Sequence, residues 1–169
     1  MAGDLPAASW CRPMDRFSRP LALALIAVVC MVAVAGAAQK QGTNGADKLV
    51  GSASADKLYG LGGSDRIYGR AGNDRLVGAS GNDTLAGDSG NDSLSGGSGA
   101  DTLLGGSGKD RITPGAGRDV VAAGHGKDTV RARGGGRDEI DCGSGRDHVE
   151  ADAASVDKVA ANCEVVKRG

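Results

Sequence analysis

Aspartate recurs every nine residues through most of this chain of 169 residues. Ten carboxylates follow one another in unbroken steps of nine, at Asp47, Asp56, Asp65, Asp74, Asp83, Asp92, Asp101, Asp110, Asp119 and Asp128. Carboxylate oxygens are ligands for hard cations, which also accept backbone carbonyl oxygens. Whether these carboxylates can bind an ion depends on how the segments between them fold.

Two further residue types keep the same period. Glycine stands two positions before each Asp, with Ser54 as the departure. An aliphatic residue stands two positions after each Asp, at Leu49, Leu58, Ile67, Leu76, Leu85, Leu94, Leu103, Ile112, Val121 and Val130. The aliphatic residue with its two outward neighbours predicts a very short strand, and the six Gly-rich residues before it predict a turn. The phase slips by one after residue 128 and again before Asp157, so that about thirteen units occupy residues 42–160.

These in-phase series resemble the nonapeptide repeat G-G-x-G-x-D-x-U-x of RTX, or hemolysin-type, calcium-binding proteins, where U is a large aliphatic residue. The best copies are GGSGADTLL at 96–104, GGSGKDRIT at 105–113 and GDSGNDSLS at 87–95. The resemblance implies an all-β fold, a right-handed parallel β-roll (β-solenoid) with two repeats per coil. It also implies one Ca2+ between the turns of successive coils, with the Asp side chain as a ligand.

In such a roll, residues 18 apart stack about 4.8 Å from each other. The ten aspartates then form two stacks, and neighbouring carboxylates repel by roughly 3.5 kcal/mol at an effective dielectric of ~20. A cation is therefore needed between them, and Ca2+ suits a site of carboxylate and carbonyl oxygens. We predict as calcium ligands the ten aspartates and the turn glycines Gly63, Gly72, Gly81, Gly90, Gly99 and Gly108, with at most eight ions. Because the core is thin, we also predict that folding is coupled to calcium.

The C-terminal half departs from the repeat. From residue 109 the position before Asp is basic, at Lys109, Arg118, Lys127, Arg137 and Arg146. Pro114 and Ala123 replace the first Gly of their repeats. We expect residues 42–110 to be calcium-competent and residues 111–160 to be degenerate. In that half the basic side chains either neutralise part of the Asp stack or point into solvent.

The N-terminal segment predicts export. Residues 21–38 are apolar and uncharged, and Arg12, Arg16 and Arg19 precede them. This pattern predicts a secretory signal peptide over residues 1–38, with Met14 as an alternative start, cleaved at Ala35-Gly36-Ala37 or after Ala38. An uncleaved membrane anchor and a lipid anchor on Cys30 are the alternatives. Residues 39–41 are then a short linker, and the protein is secreted and extracellular.

The cysteines also favour an extracellular location. Cys11 and Cys30 precede the cleavage site, which leaves Cys142 and Cys163 in the mature chain. An even pair in an exported protein predicts a disulfide, which would cap the last coil from a tail at 161–169. The segment DCGSGRDHVEAD…DKVAANCE resembles the ending of secreted actinobacterial repeat proteins. His125 and His148 are isolated and are expected on the surface.

Composition narrows the function. The net charge is −1, so the chain does not have the excess of basic residues that is typical of nucleic-acid-binding proteins. Only two aromatic residues follow residue 20, and the non-repeat segments leave no room for a catalytic domain of ~100 residues. We therefore expect a secreted, calcium-binding, structural or surface module that is not an enzyme. After signal cleavage we expect no membrane association. The alternative is a calcium-dependent self-assembling or adhesive protein that binds a cell-surface polymer.

Overall fold

A computed structural model describes residues 36–152 and 157–168. Apart from residues 36–38, the predicted signal peptide lies outside this range, and so do Cys11 and Cys30. No helix of the described segments is long and apolar enough to cross a membrane. All regular structure in these segments is short β-strand.

The strands form two parallel sheets, and consecutive strands alternate between them for most of the chain. One sheet has the order β1-β3-β5-β7-β9-β11-β14-β16, and the other has the order β15-β12-β10-β8-β6-β4-β2, with β13 paired to β10. The bounds are β1 Gln39–Gln41, β2 Lys48–Val50, β3 Lys57–Gly62, β4 Arg66–Ala71, β5 Arg75–Ser80, β6 Thr84–Ser89, β7 Ser93–Ser98, β8 Thr102–Gly108, β9 Arg111–Ala116, β10 Val120–Gly126, β11 Thr129–Ala132, β12 Glu139–Asp141, β13 Ser144–Gly145, β14 His148–Ala151, β15 Lys158–Val159 and β16 Val165–Arg168. Two repeats complete one coil, and about 7 coils form a parallel β-solenoid, which confirms the predicted fold class.

The nine-residue period sets the register between coils. Leu58 pairs with Leu76, and Leu76 pairs with Leu94, so that equivalent aliphatic residues stack. At the phase slip, Val121 pairs with Ile140, one residue more than two repeats later. The extra residue is accommodated between the strands, because the aliphatic residues still meet in register.

The interior is one thin layer of aliphatic side chains between the two sheets. The side chains from Leu58 to Leu85 in this ladder are 0% exposed, and those from Leu94 to Val149 are at most 1% exposed. Leu49, in β2 at one end of its sheet, is 8% exposed. The residues on either side of each aliphatic residue point away from the core, as the period-2 alternation of a strand requires.

The sheets extend beyond residues 42–160 at both ends. Residues 39–41, predicted as a linker, form β1 and pair with β3, and the carbonyl of Ala38 accepts a hydrogen bond from the Lys57 N–H at 2.8 Å. At the other end β16 pairs with β14. Each terminal strand continues the parallel register, so the roll begins and ends in the segments flanking the repeats.

The predicted disulfide between Cys142 and Cys163 is present, with a Cα–Cα distance of 5.3 Å. Cys142 is fully buried at the end of the aliphatic core, and Cys163 packs against it. Beside the disulfide, the Asn162 amide donates to Asp141 Oδ1 at 2.6 Å and to the Gly143 carbonyl at 3.1 Å. The disulfide and these bonds attach the C-terminal segment to the last coils.

Candidate metal centre

The aspartates form two columns that run along the roll, and from Asp56 onward one carboxylate oxygen joins successive coils. The Asp56 N–H donates to Asp74 Oδ1 at 2.7 Å, and the Asp65 N–H donates to Asp83 Oδ1 at 2.8 Å. The same bond recurs along both columns as far as the Asp138 N–H and Asp157 Oδ1, at 3.2 Å. The stacking predicted from residues 18 apart is thus present, with a backbone donor between successive carboxylates.

The second carboxylate oxygen is buried and has no hydrogen-bond partner at most positions. Within residues 36–152 and 157–168, this holds for Oδ2 of Asp65, Asp74, Asp83, Asp92, Asp101, Asp110, Asp119, Asp128 and Asp147. These aspartates are at most 3% exposed. An unpaired buried polar group costs about 1–3 kcal/mol, and a charged one costs more. A repeated cost of this kind indicates a binding partner for the oxygens.

Burial raises the pKa of the interior carboxyls. Loss of hydration is the largest cause at Asp92, and the neighbouring carboxylates Asp110 and Asp74 add to it, so that the pKa of Asp92 rises to about 6. The pKa of Asp101 and that of Asp128 also rise to about 6, again mainly by desolvation. The hydrogen bond from the preceding coil opposes this rise at each position. Negative charge is therefore disfavoured along the columns, and a cation is the ligand that these columns favour.

The predicted turn glycines allow successive turns to approach closely. Gly63, Gly72, Gly81, Gly90, Gly99 and Gly108 have φ angles between 98° and 136°, where an L side chain is strained. A Cβ on Gly90 would lie 1.7 Å from the carbonyl oxygen of Gly72, one coil earlier. Glycine at this position therefore lets the backbone of one turn lie close to a carbonyl oxygen of the turn one coil earlier.

A second set of glycines, which the sequence analysis did not assign to the site, lies directly against the unpaired oxygens. A Cβ on Gly60 would be 2.2 Å from Asp65 Oδ2, and a Cβ on Gly78 would be 2.2 Å from Asp83 Oδ2. These residues stand five positions before the aspartate. Their regular recurrence from Gly42 to Gly105 is the sequence signal that could have identified them.

The first aspartate of each column differs from the interior ones. Asp47 Oδ2 accepts hydrogen bonds from the N–H and hydroxyl of Thr43, at 2.5 and 2.9 Å. Asp56 Oδ2 accepts the equivalent bonds from Ser52, at 2.5 and 3.0 Å. Eight of the ten predicted aspartates therefore carry an unpaired oxygen, and Asp147 carries one outside the predicted set.

The carboxylates are distributed along the columns rather than gathered at one point. In the described part of the chain, no group of three or more His, Cys, Asp or Glu side chains converges on a possible metal position. Backbone carbonyl oxygens of the turns can supply further ligands to an ion bound beside one of these carboxylates. Carboxylate and carbonyl oxygens together are a donor set that suits a hard cation.

The repeat pattern matches one known protein family. Four copies of the family model of the RTX calcium-binding nonapeptide repeat match residues 41–76, 77–112, 104–136 and 114–149, which is more than half of the chain. The chain belongs to the RTX calcium-binding nonapeptide repeat family. This confirms the resemblance identified from the sequence. No curated protein matches the chain.

The residues present fit the ion that RTX repeats bind. Ca2+ takes six to eight oxygen ligands in flexible geometry and accepts both carboxylates and backbone carbonyls. The unpaired Asp oxygens and the carbonyls of the Gly-rich RTX turns are ligands of this type. The aspartates and the turn carbonyls would hold the ion, and its positive charge would offset the carboxylates that the columns bring together.

The two halves of the RTX region each lack glycine at a different position of the repeat. In the C-terminal half Pro114 and Ala123 replace the glycines that lie against the unpaired oxygens. In the N-terminal half the position four before Asp has a positive φ although it is not glycine, at Leu61, Arg70, Ala79 and Asp88, whereas from Gly97 onward it is glycine. The division into residues 42–110 and 111–160 stays a prediction.

The basic residues of the C-terminal half lie on the surface of the RTX roll. Lys109, Arg118, Lys127, Arg137 and Arg146 are all exposed. Arg146 pairs with Glu164 at 3.7 Å, which is a surface contact outside the columns. Of the two histidines, His125 contacts the Ser144 hydroxyl at 2.6 Å and His148 faces Glu150 at 3.6 Å.

Proposed function

We propose that this chain is a secreted, non-catalytic RTX module whose β-roll folds when Ca2+ binds between its turns. The observation that carries the proposal is the series of buried aspartates whose second oxygens have no partner. A ligand that binds the folded chain and not the unfolded chain stabilises the fold by mass action. Ca2+ meets that condition here, because coiling of the chain brings the carboxylates and turn carbonyls together.

The thin core supports coupling between folding and binding. The buried apolar side chains form one aliphatic ladder between the two sheets, without buried aromatic residues in the described segments. Hydrophobic burial on this scale has to offset the chain entropy of many Gly-rich turns. It must also offset the desolvation of the aspartate columns, which a bound cation reduces.

Calcium titration of the chelator-treated protein tests this function. We expect far-UV circular dichroism to change from a coil spectrum to a β spectrum as Ca2+ rises into the millimolar range, while the same concentration of Mg2+ has a weaker effect. Mg2+ is the control because it prefers rigid octahedral sites and keeps its water. A spectrum that does not change between chelator and excess Ca2+ would refute the proposal.

Two features support export. The segment before Ala38 has the pattern of a secretory signal, and the Cys142–Cys163 disulfide suits an oxidising compartment. Thiol titration of the denatured, unreduced protein recovered from culture medium should find no free thiol. Recovery of the protein only from cells, with reduced cysteines, would contradict the export that we propose.

Self-assembly is the second candidate function. In the described segments, the end strands β1 and β2 and the end strands β15 and β16 each pair along one edge. An open strand edge can pair with another chain. Light scattering with and without Ca2+ separates the two functions, because a solitary module keeps one monomer mass and an assembling protein grows in mass when Ca2+ orders its ends.

A further inference from the structure

Ala38 occupies the aspartate position of the coil that begins the roll. In the column of Asp56, Asp74 and Asp92, the N–H of each residue donates to Oδ1 of the residue one coil later. The Ala38 N–H makes the same bond to Asp56 Oδ1, at 2.5 Å and 18 residues away. This column therefore begins with a backbone nitrogen that has no carboxylate beside it.

Asp56 has an environment unlike that of the interior aspartates. It is 1% exposed, yet both of its oxygens have hydrogen-bond donors. Burial tends to raise the pKa of Asp56, but the bonds from Ala38 and Ser52 and the positive charge of Lys40 together lower it below its ordinary value. Asp56 is thus held as a carboxylate by donors and positive charge from its own and the preceding coil.

The sequence before Ala38 carries a processing motif at the adjacent bond. Ala35 and Ala37 are the small residues that export peptidases require at the third and first positions before the cut. We propose that cleavage of the Ala37–Ala38 bond produces an α-ammonium group at Ala38 that pairs with Asp56 and caps the first coil where the interior coils use a cation. This inference rests on the export proposed above.

The reaction is peptide hydrolysis by the signal peptidase of the export pathway. Water adds across the Ala37–Ala38 amide bond, which breaks. The released segment ends in the carboxylate of Ala37, and the Ala38 nitrogen takes up the two protons of the water to become an ammonium group. The bond to Asp56 then changes from an amide donor to a charged donor, and charge-assisted hydrogen bonds are about twice as strong as neutral ones.

The structure distinguishes this cut from the cut one residue later. Cleavage after Ala38 would remove the nitrogen that donates to Asp56 and the carbonyl that accepts from the Lys57 N–H. The chain would then begin at Gln39, in β1, and Asp56 Oδ1 would lose its backbone donor and keep only the Ser52 hydroxyl, at 3.2 Å. We therefore expect the Ala37–Ala38 bond to be the processed one.

N-terminal sequencing and intact mass of the exported protein test the processing step. A chain that begins at Ala38 supports the inference. A chain that begins at Gln39 overturns the inference while leaving export and calcium binding in place. A product that retains residues 21–38 overturns both the inference and the cleaved signal on which it rests, and so the two failures are distinguishable.

Purified chains with defined first residues test the ion pair itself. Relative to the chain beginning at Ala38, the chain beginning at Gln39 should show a folding equilibrium constant lower by about tenfold or more in limiting Ca2+. The chain with an acetylated Ala38 should lie between them, since it keeps an N–H and loses the charge. Equal midpoints of calcium-induced folding for the free and acetylated Ala38 chains would overturn the ion pair.

The variant Asp56→Asn is the matched control for these chains. If the ammonium acts through Asp56, acetylation of Ala38 should have little effect in the Asp56→Asn background, as in a double-mutant cycle. An unchanged effect of acetylation in that background would show that the ammonium acts elsewhere and would overturn the inference. Calcium-induced folding of every chain reports separately on the proposed function.

Discussion

Replacing Asp92 by Asn should have opposite effects on the roll with and without calcium. Asp92 Oδ1 accepts a hydrogen bond from the Asp74 N–H at 2.7 Å, and the Asn side-chain oxygen can keep that bond. Oδ2 is buried without a partner, and the neighbouring carboxylates repel it. The substitution removes a charge whose burial is costly in chelator and which serves as a calcium ligand when the ion is present.

The magnitude follows from the pKa of Asp92, which is about 6 against an ordinary value of 3.8. At 1.36 kcal/mol per pKa unit, this sets an upper bound of about 3 kcal/mol near neutral pH, and solvent screening at the turn reduces it to about 1–2 kcal/mol. In chelator, Asp92→Asn should stabilise the roll by that amount. With Ca2+ present, the substitution should raise the Ca2+ concentration at which half of the chain is folded by about tenfold or more, because a charged ligand is lost.

Because we expect the calcium-free chain to be a coil, the assay follows folding by far-UV circular dichroism, induced in chelator by a stabilising osmolyte and in a second series by Ca2+. Asp56→Asn is the matched control, since it is the same substitution in the same column at a carboxylate that Ala38 and Ser52 already satisfy. It should destabilise the calcium-free chain. If Asp92→Asn destabilises the chain in chelator as much as Asp56→Asn does, the argument from unpaired buried oxygens is wrong.

Four further predictions concern pH, the turns and the cap. In calcium-free buffer the β signal in circular dichroism should increase as the pH falls from 7 towards 5. The reason is that Asp101 and Asp138, whose pKa values rise to about 6 in the roll, take up protons on folding, and a β signal that does not increase over that range would contradict this. Ala79→Gly should stabilise the roll by about 0.5–1 kcal/mol in denaturation, because Ala79 has a φ of 84°, and no gain would show that the strain is absent. Gly90→Ala should lower the free energy of unfolding by about 3 kcal/mol, measured by denaturation. Gly45→Ala, at the same repeat position, should leave it nearly unchanged, because no atom would lie nearer than 3.7 Å to the added Cβ. Similar losses for the two variants would refute the close-approach argument. Reduction of the Cys142–Cys163 disulfide, 21 residues apart, should cost up to about 3 kcal/mol and lower the thermal midpoint, with the unreduced chain as control, and an unchanged midpoint would refute its capping role.

Much of the fold follows from the period alone. The series in phase are enough to place the aliphatic ladder and a strand at each aliphatic residue, because a strand alternates its faces. The predicted six-residue turn is too long, since an interior strand such as Lys57–Gly62 continues through its first three residues. Elimination of the cysteines before the cleavage site leads to the Cys142–Cys163 pair, which the structure confirms. The period does not show where the roll ends, since β1 and β16 join the sheets through backbone pairing without a repeat motif.

The candidate site was less predictable than the fold. Its aspartates stand out in the sequence, but the difference between Asp47 or Asp56 and the interior aspartates does not. That difference depends on Thr43 and Ser52, whose hydroxyls and N–H groups reach a carboxylate four residues later only once the turn has formed. The glycines five before each Asp form a visible series, but their contact with Oδ2 depends on the direction in which the carboxylate points.

The sequence by itself determined the periodic architecture, the alignment of aspartates in columns and the family. Those properties depend on residue types at a fixed interval, and a repeat that stacks on itself needs no further information to set its register. Only the tertiary structure decided what each carboxylate oxygen contacts. In the interior aspartates, Oδ1 accepts a hydrogen bond from the preceding coil, and Oδ2 lies against a glycine without a hydrogen-bond donor. The dihedral angles of the turn and the close approach of the coils orient the side chain in this way. The same geometry brings Ala38, which has no carboxylate, into the column of Asp56.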